Sequence, residues 1–498
     1  MKRMIGCVSG LILLLLVSCA GTRQIARTPS PEEDIVQTDK GLVQGTREAS
    51  LWRFLGIPYA RTPKRFVPSV PVAPWEGVLV ADHYGPISPQ GAISGVAIEP
   101  DQTGTDNSCQ NLNIWTPALD GRKRAVMVWL HGGGFSTGSA NEAAYDGAAL
   151  SQKEDVVVVS INHRLNIFGY LDLSAYGEEY RHSANAGILD IVQALRWIHA
   201  NIASFGGDPD NVTLFGQSGG GAKVLAMMAS PMAKGLFRRG IVQSGTTETM
   251  GAAFTSREAS RILGARVLQL LDIPASQVER IQEVPVDELE RVAVEALART
   301  GEELGIHAAL GDAYAMDWEP VVDGEVLPTN PVTEDSFAEA GKEVPLLIGS
   351  NLNEWTGYFP QTDMPHTPEM EAVLRHAYPD KPDLRPEQVD TTLIRLPTLK
   401  IMAHKADQDG APVYGYLFSY GNSYHGAEIP YVFAHEGSQL GDFISHAWAS
   451  FAKTGVPAAQ WIPYTRENGA TMILDERQAM ASHHDEAYLR LVAPTYQW

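Results

Sequence analysis

Residues 211–222 constrain this chain more than any other stretch. They read Asn-Val-Thr-Leu-Phe-Gly-Gln-Ser-Gly-Gly-Gly-Ala: a β-branched and aromatic run, then glycines gathered around one serine, then the start of a helix-forming run. Gly216-Gln217-Ser218-Gly219-Gly220 fits the pattern G-x-S-x-G between a strand and a helix. A turn that sharp forces Ser218 into strained backbone angles, and glycines two positions either side remove the Cβ atoms that would clash. The hydroxyl is then lifted clear of a sheet, at a helix N-terminus whose N–H groups and dipole face any anion formed there. The pentapeptide alone is a weak signal in a glycine-rich chain. Its strand–turn–helix setting is what marks Ser218 as a nucleophile.

A turn of this kind needs a sheet beneath it. Strand-like apolar runs occur at 125–130, 156–161, 212–215, 344–348 and 413–418, alternating with helix-like segments. That order predicts an α/β fold with a large, mostly parallel sheet flanked by helices. Helical spacing appears in residues 188–202, through Ile188, Ile191, Val192, Leu195 and Ile198, and again in 258–271, through Ile262, Leu263 and Leu270. The stretch 255–312 is helical throughout with no matching strand, and is expected to form an inserted cap. At 498 residues the length permits several domains, but no internal repeat is visible, and residues 35–498 read as one globular unit carrying that cap.

A second glycine cluster, His131-Gly132-Gly133-Gly134-Phe135, follows the apolar run ending at Leu130. Consecutive glycines let backbone N–H groups point into a cavity unobstructed, which suits a donor set for a developing oxyanion. The base and acid that Ser218 would need are not fixed by spacing, because the chain has 14 histidines and many carboxylates.

Taken with further blocks, the chain resembles the type-B carboxylesterase/lipase family, the α/β-hydrolases that include cholinesterases and bacterial carboxylesterases. The likeness runs from about Gly41 to the C-terminus. It rests on Phe54-Leu55-Gly56-Ile57-Pro58-Tyr59-Ala60, Leu112-Asn113-Ile114-Trp115-Thr116-Pro117, the glycine loop, and Phe205-Gly206-Gly207-Asp208-Pro209. Trp318-Glu319-Pro320-Val321-Val322-Asp323-Gly324 and Phe451-Ala452-Lys453-Thr454-Gly455 extend it. The resemblance implies that Glu354, in Gly349-Ser350-Asn351-Leu352-Asn353-Glu354, is the acid of a triad. It implies that His425, in Tyr424-His425-Gly426-Ala427-Glu428-Ile429-Pro430, is the base, in the chain order Ser, Glu, His. Gly133, Gly134 and Gly219 are the implied oxyanion donors. The implied activity is hydrolysis of small carboxylic esters through an acyl-enzyme, with no cofactor and no metal. His404, His435, His446, His483 and His484 are expected at the surface. Ser244, in Gln243-Ser244-Gly245, resembles a second family serine beside the site, in a supporting role.

Several positions depart from the family. Gln217 stands where Glu is usual, which removes a negative charge beside the reacting centre and disfavours cationic choline esters. Gly219 stands where Ala is usual. Lys223 replaces a small polar residue on the elbow helix, where its ammonium either is buried and paired with a carboxylate behind the site or snorkels to the surface. Asn107-Ser108-Cys109 replaces an acidic pair before the family's Cys, so an ion pair involving Arg65 is expected to be lost or rerouted through Asp106.

Lys2 and Arg3 precede an apolar stretch from Leu11 to Val17 that is too short to span a bilayer comfortably, which reads as an export signal over residues 1–18. Leu16-Val17-Ser18-Cys19 resembles the lipobox of bacterial lipoproteins, implying lipidation of Cys19 and, with Ala20 rather than Asp after it, an outer-membrane anchor facing the periplasm or the surface; an ordinary secretory signal is the alternative. Residues 19–34, polar with Pro29 and Pro31, read as a flexible tether. Cys7 would then leave with the signal and Cys109 would remain alone and buried, with no disulfide. The formal charge of −21 argues against nucleic-acid partners, since a polyanion is repelled by an acidic surface. Two other readings compete: a catalytically silent cholinesterase-like binding module, and a metal-dependent hydrolase. The complete Ser218, Glu354, His425 set disfavours the first, and the lack of an H-E-x-x-H pattern the second.

Overall fold

The computed structural model describes residues 34–90, 108–249, 253–308, 313–357, 366–391 and 393–498. The expected signal segment, Cys19, the tether before Asp34, and Asp106 lie outside the described residues.

Among the described residues, one sheet of eleven strands organises the fold. In chain order these are β1 Thr46–Glu48, β2 Leu51–Pro58, β3 Asn111–Thr116, β4 Arg124–Leu130, β5 Val157–Ile161, β6 Gly207–Gln217, β7 Arg239–Gln243, β8 Leu346–Asn351, β9 Val413–Phe418, β10 Ala470–Leu474 and β11 Ala479–Ser482. Their spatial order is β11-β10-β9-β8-β7-β6-β4-β5-β3-β2-β1. From β5 across to β10 every pairing is parallel. Both margins are antiparallel, β3, β2 and β1 on one side and β11 on the other.

Parallel strands are covered on both faces, and β4 shows why its run is continuously apolar. Val126, Val128 and Leu130 enter one hydrophobic cluster, whereas Ala125, Met127 and Trp129 enter another. The first cluster takes in α1 (Ala186–Asn201) and α2 (Gly219–Ala229). The second is closed by a later helix, Gln439–Thr454, through Ile444, Ala447, Trp448 and Phe451. Each fully buried aliphatic side chain contributes roughly 1.5–3 kcal/mol relative to exposure.

The segment after Ser244 forms α3 (Arg257–Leu270) and α4 (Val286–Leu304), with a 3-10 stretch at Ala275–Glu283 between them. One expectation needs correction: a short strand, Thr255–Ser256, does open this region and pairs with Val321–Val322. Helix α3 docks tightly, since a Cβ on Gly264 would lie 2.0 Å from the Asp172 carbonyl oxygen. Ser260 Oγ also donates to Asp172 Oδ2 at 2.7 Å.

Candidate active site

Because β4, β6, β7, β8 and β9 are parallel neighbours, their C-terminal ends share one edge of the sheet. The glycine loop follows β4, Ser218 follows β6, Ser244 follows β7, Glu354 follows β8, and His425 follows β9. Ligand sites in open α/β sheets form at this edge.

Ser218 lies between β6 and α2 with φ +59° and ψ −127°. Such strain costs about 1–3 kcal/mol and persists only where packing enforces it. Here a Cβ on Gly220 would come within 2.0 Å of the Leu130 carbonyl oxygen, and one on Gly216 within 2.5 Å of the Gly220 carbonyl carbon. The Ser218 N–H donates to Gln243 O at 2.8 Å, tying the turn to β7. Although Ser218 occupies the helix N-cap, its side chain makes no capping bond.

The glycine loop approaches from β4. Gly133 and Gly134 have φ of +83° and +60°, and Gly133 O accepts the N–H groups of Ser136 and Thr137 at 3.2 and 3.0 Å. A Cβ on Gly132 would lie 3.5 Å from Ser218 Cβ, and one on Gly219 would lie 2.5 Å from Gly134 Cα. The N–H groups of Gly133, Gly134 and Gly219 donate to no acceptor among the described residues. Loop and elbow are therefore in contact, with these amide donors unengaged among the described residues.

His425 and Glu354 meet across the ends of β8 and β9. Glu354, fully buried and at φ +24°, accepts from His425 Nδ1 at 2.6 Å through Oε2 and from the Asn351 N–H at 2.6 Å through Oε1. The His425 N–H donates to Glu354 O at 3.0 Å, fixing the two loops together. His425 Nε2 is buried and has no hydrogen-bond partner among the described residues. The histidine loop abuts the elbow, since a Cβ on Gly426 would lie 3.6 Å from Gln217 Nε2. Gln217 is nearly buried between that loop and Gly132.

Behind the acid lies a network to which no role was given from the sequence. Glu428 accepts from Gln243 Nε2 at 3.0 Å and from Asn351 Nδ2 at 2.7 Å. Burial, and then the charge of Glu354, raises the Glu428 carboxyl above its ordinary range. The same two causes push Asp390 up to about 6. Glu428 and Asn351 fall inside the two segments that resemble the family, so the signal was present without a role. Trp355, next to the acid, stacks on the His425 ring with centroids 4.8 Å apart.

Lys223 is fully buried, and the carboxylate whose charge it feels is that of Glu142. Its Nζ donates to the His131 carbonyl at 2.9 Å and lies 5.5 Å above the Phe135 ring. A backbone carbonyl and an aromatic face are its direct contacts, and the Glu142 charge also favours the ammonium. Burial pushes the ammonium down to about 7. Burial first, and then the Lys223 charge, lowers the stacked pair of His131 and His163.

Ser244 is buried beside Gln243 at φ +49°, and its Oγ makes no hydrogen bond among the described residues. Arg65 donates to the Val284 carbonyl at 2.5 Å rather than to a carboxylate among the described residues. Cys109 is free and buried, and burial raises its thiol. Of the histidines expected at the surface, His435, His446 and His483 are exposed and His484 is half-buried. His404 corrects the expectation: it is buried, because its helix packs nearly every side chain inward.

The parallel sheet, the strand–turn–helix serine and the edge-clustered loops define an α/β-hydrolase. Comparison with known proteins narrows the class. The sequence model of the carboxylesterase family matches residues 32–381. Para-nitrobenzyl esterase of Bacillus subtilis (strain 168) is 35% identical, covering 89% of this chain and 94% of its own length. Carboxylesterase 1E of Rattus norvegicus is 30% identical, covering 99% and 95%. A solved esterase from Clostridium hathewayi, described as hydrolysing aliphatic aromatic polyesters, superposes with a TM-score of 0.80 at 32% identity, over 92% of this chain and 98% of that one. The chain belongs to the carboxylesterase family, of the type-B branch, and is a carboxylic ester hydrolase acting on small-molecule esters.

Proposed function

We propose that ester cleavage proceeds by acyl transfer to Ser218. Neutral His425 accepts the Ser218 proton on Nε2 as Oγ attacks the ester carbonyl, because a serine hydroxyl is a poor nucleophile at neutral pH. Glu354 holds the ring in the tautomer that leaves Nε2 free and stabilises the charge that develops. The N–H groups of Gly133, Gly134 and Gly219 receive the oxyanion, each such donor being worth roughly 3 kcal/mol in the transition state. His425 returns the proton to the departing alcohol, and water then releases the acid by the same relay. The observation that carries this reading is the 2.6 Å contact between His425 and Glu354 at the sheet edge that also bears Ser218.

A chromogenic ester in rapid-mixing kinetics tests it. A burst of alcohol stoichiometric with enzyme is expected, and Ser218→Ala is expected to abolish turnover with its melting temperature unchanged. Retained turnover in purified Ser218→Ala contradicts the reading.

The helices after Ser244 are proposed to cap the site, on the strength of Phe254, which lies edge-on to Phe135 of the glycine loop at 6.3 Å. Lipidation of Cys19 after removal of residues 1–18, with the chain held at an outer membrane, remains the proposal for placement in the cell. Metabolic labelling with a fatty acid, lost on Cys19→Ala, tests it; equal labelling of the variant contradicts it.

A further inference from the structure

Trp355 follows the acid Glu354 directly, and its ring lies over the imidazole of His425 with centroids 4.8 Å apart and planes tilted by 30°. The His425 side chain is only 9% exposed. Its Nδ1 edge is taken by Glu354 and one of its faces by an indole. An aromatic face carries negative charge density and attracts a cation within about 6 Å of its centre, most strongly when the ring is Trp and the site is dry.

We propose that Trp355 is a positioning residue of the esterase reaction that stabilises the positively charged form of His425 through its ring face, in addition to Glu354. The inference rests on the acyl-transfer reading above. During attack the proton leaves Ser218 Oγ for His425 Nε2, the Oγ electron pair forms the bond to the carbonyl carbon while the C=O π pair moves onto its oxygen, and the imidazole becomes an imidazolium under the indole. Glu354 balances that charge in the ring plane, whereas Trp355 acts from above it. Among the described residues, carboxylates gather beside the ring: Glu354 in contact, Glu428 three residues along the same loop, and Asp390, which lies close enough to Glu354 to feel its charge. From the elbow the histidine loop meets neutral Gln217.

The sign of one pH effect separates this role from a shielding role. An indole that only excluded water would disfavour imidazolium, and its removal would make the ring easier to protonate. An indole that attracts the cation does the reverse.

Trp355→Leu keeps apolar cover without the ring, and Trp355→Phe keeps a weaker ring. In Trp355→Leu, kcat on a neutral chromogenic ester is expected to fall roughly three- to thirtyfold with KM nearly constant. The acid limb of the kcat/KM profile is expected to move to lower pH by about half to one and a half units, with Trp355→Phe between Leu and wild type. An acid limb displaced to higher pH, or an unmoved limb with a raised KM, overturns the proposal in favour of shielding or of a substrate wall. His425→Gln separates the two levels of the argument. If it retains turnover, the acyl-transfer reading fails and this inference with it. If it is inactive while the Trp355 variants keep the wild-type limb, only this inference fails.

Discussion

Glu354 Oε2 lies 2.6 Å from His425 Nδ1, and the other oxygen of the same carboxylate is held at 2.6 Å by the N–H of Asn351. One oxygen orients the imidazole while the backbone at the end of β8 orients the carboxylate. Replacing Glu354 with Gln preserves shape but offers an amide that donates as readily as it accepts, so the ring is no longer held in one tautomer. Glu354→Gln is expected to lower kcat by about three to four orders of magnitude. Steady-state kinetics on a purified, folded variant checks this; a loss under tenfold contradicts it.

Gly219 carries a steric requirement that its usual family counterpart, Ala, would violate here. A Cβ at this position would lie 2.3 Å from the Gly134 carbonyl oxygen, so Gly219→Ala must push the glycine loop outward. Displacing a donor that acts chiefly in the transition state is expected to lower kcat by about 10–1,000-fold while leaving KM nearly constant. Unchanged kcat in Gly219→Ala contradicts the donor assignment of the loop.

Lys223 makes stability depend on pH in a definite direction. Its folded-state value of about 7 lies below the ordinary 10.5. Above pH 7 the folded chain releases this proton while the unfolded chain keeps it until about pH 10.5, so stability rises with pH across that window. The slope contributed is up to ~1.4 kcal/mol per pH unit, and below pH 7 the full cost of burying the charge is present. Lys223→Met, which keeps the volume without the charge, is expected to gain most over wild type at pH 7 and below, and to lose that gain towards pH 10. Denaturant melts across this range check it, and parallel curves for the two proteins contradict it.

Gln217 leaves the elbow without the carboxylate that its usual counterpart, Glu, would bring. No preference is expected for a choline ester over its neutral isostere, and Gln217→Glu is expected to raise the choline-to-neutral ratio of kcat/KM severalfold. A wild-type enzyme that strongly prefers the choline ester contradicts this account of specificity.

The parts legible in the sequence are those whose chemistry is local. The elbow around Ser218 announces itself because a tight strand-to-helix reversal demands glycine at fixed offsets, and β4, β5, β6, β8 and β9 because strands covered on both faces read as apolar runs. Strand β7 does not stand out in the sequence: Arg239-Gly240-Ile241-Val242-Gln243 is short, and its glycine breaks the run. The structure supplies the reason, since a Cβ on Gly240 would lie 3.0 Å from Val224 Cγ1 of the elbow helix. A mostly parallel sheet is legible, but not which strands form its antiparallel margins, because pairing direction depends on connections rather than composition. Glu354 and His425 were assignable only by resemblance, since what brings them together is the parallel pairing of β8 with β9. The Lys223 partner and the Trp355 stack depend on contacts between distant segments and on side-chain orientation, which spacing does not encode.

The central claim is that one hydroxyl, on Ser218, becomes covalently acylated. A fluorophosphonate ester, which phosphonylates an activated serine, followed by peptide mass spectrometry, tests it most directly. The account predicts a single adduct, on the peptide bearing Ser218, that is absent in Ser218→Ala and slow to form in His425→Gln. A stoichiometric adduct on Ser244 or any other residue would contradict it.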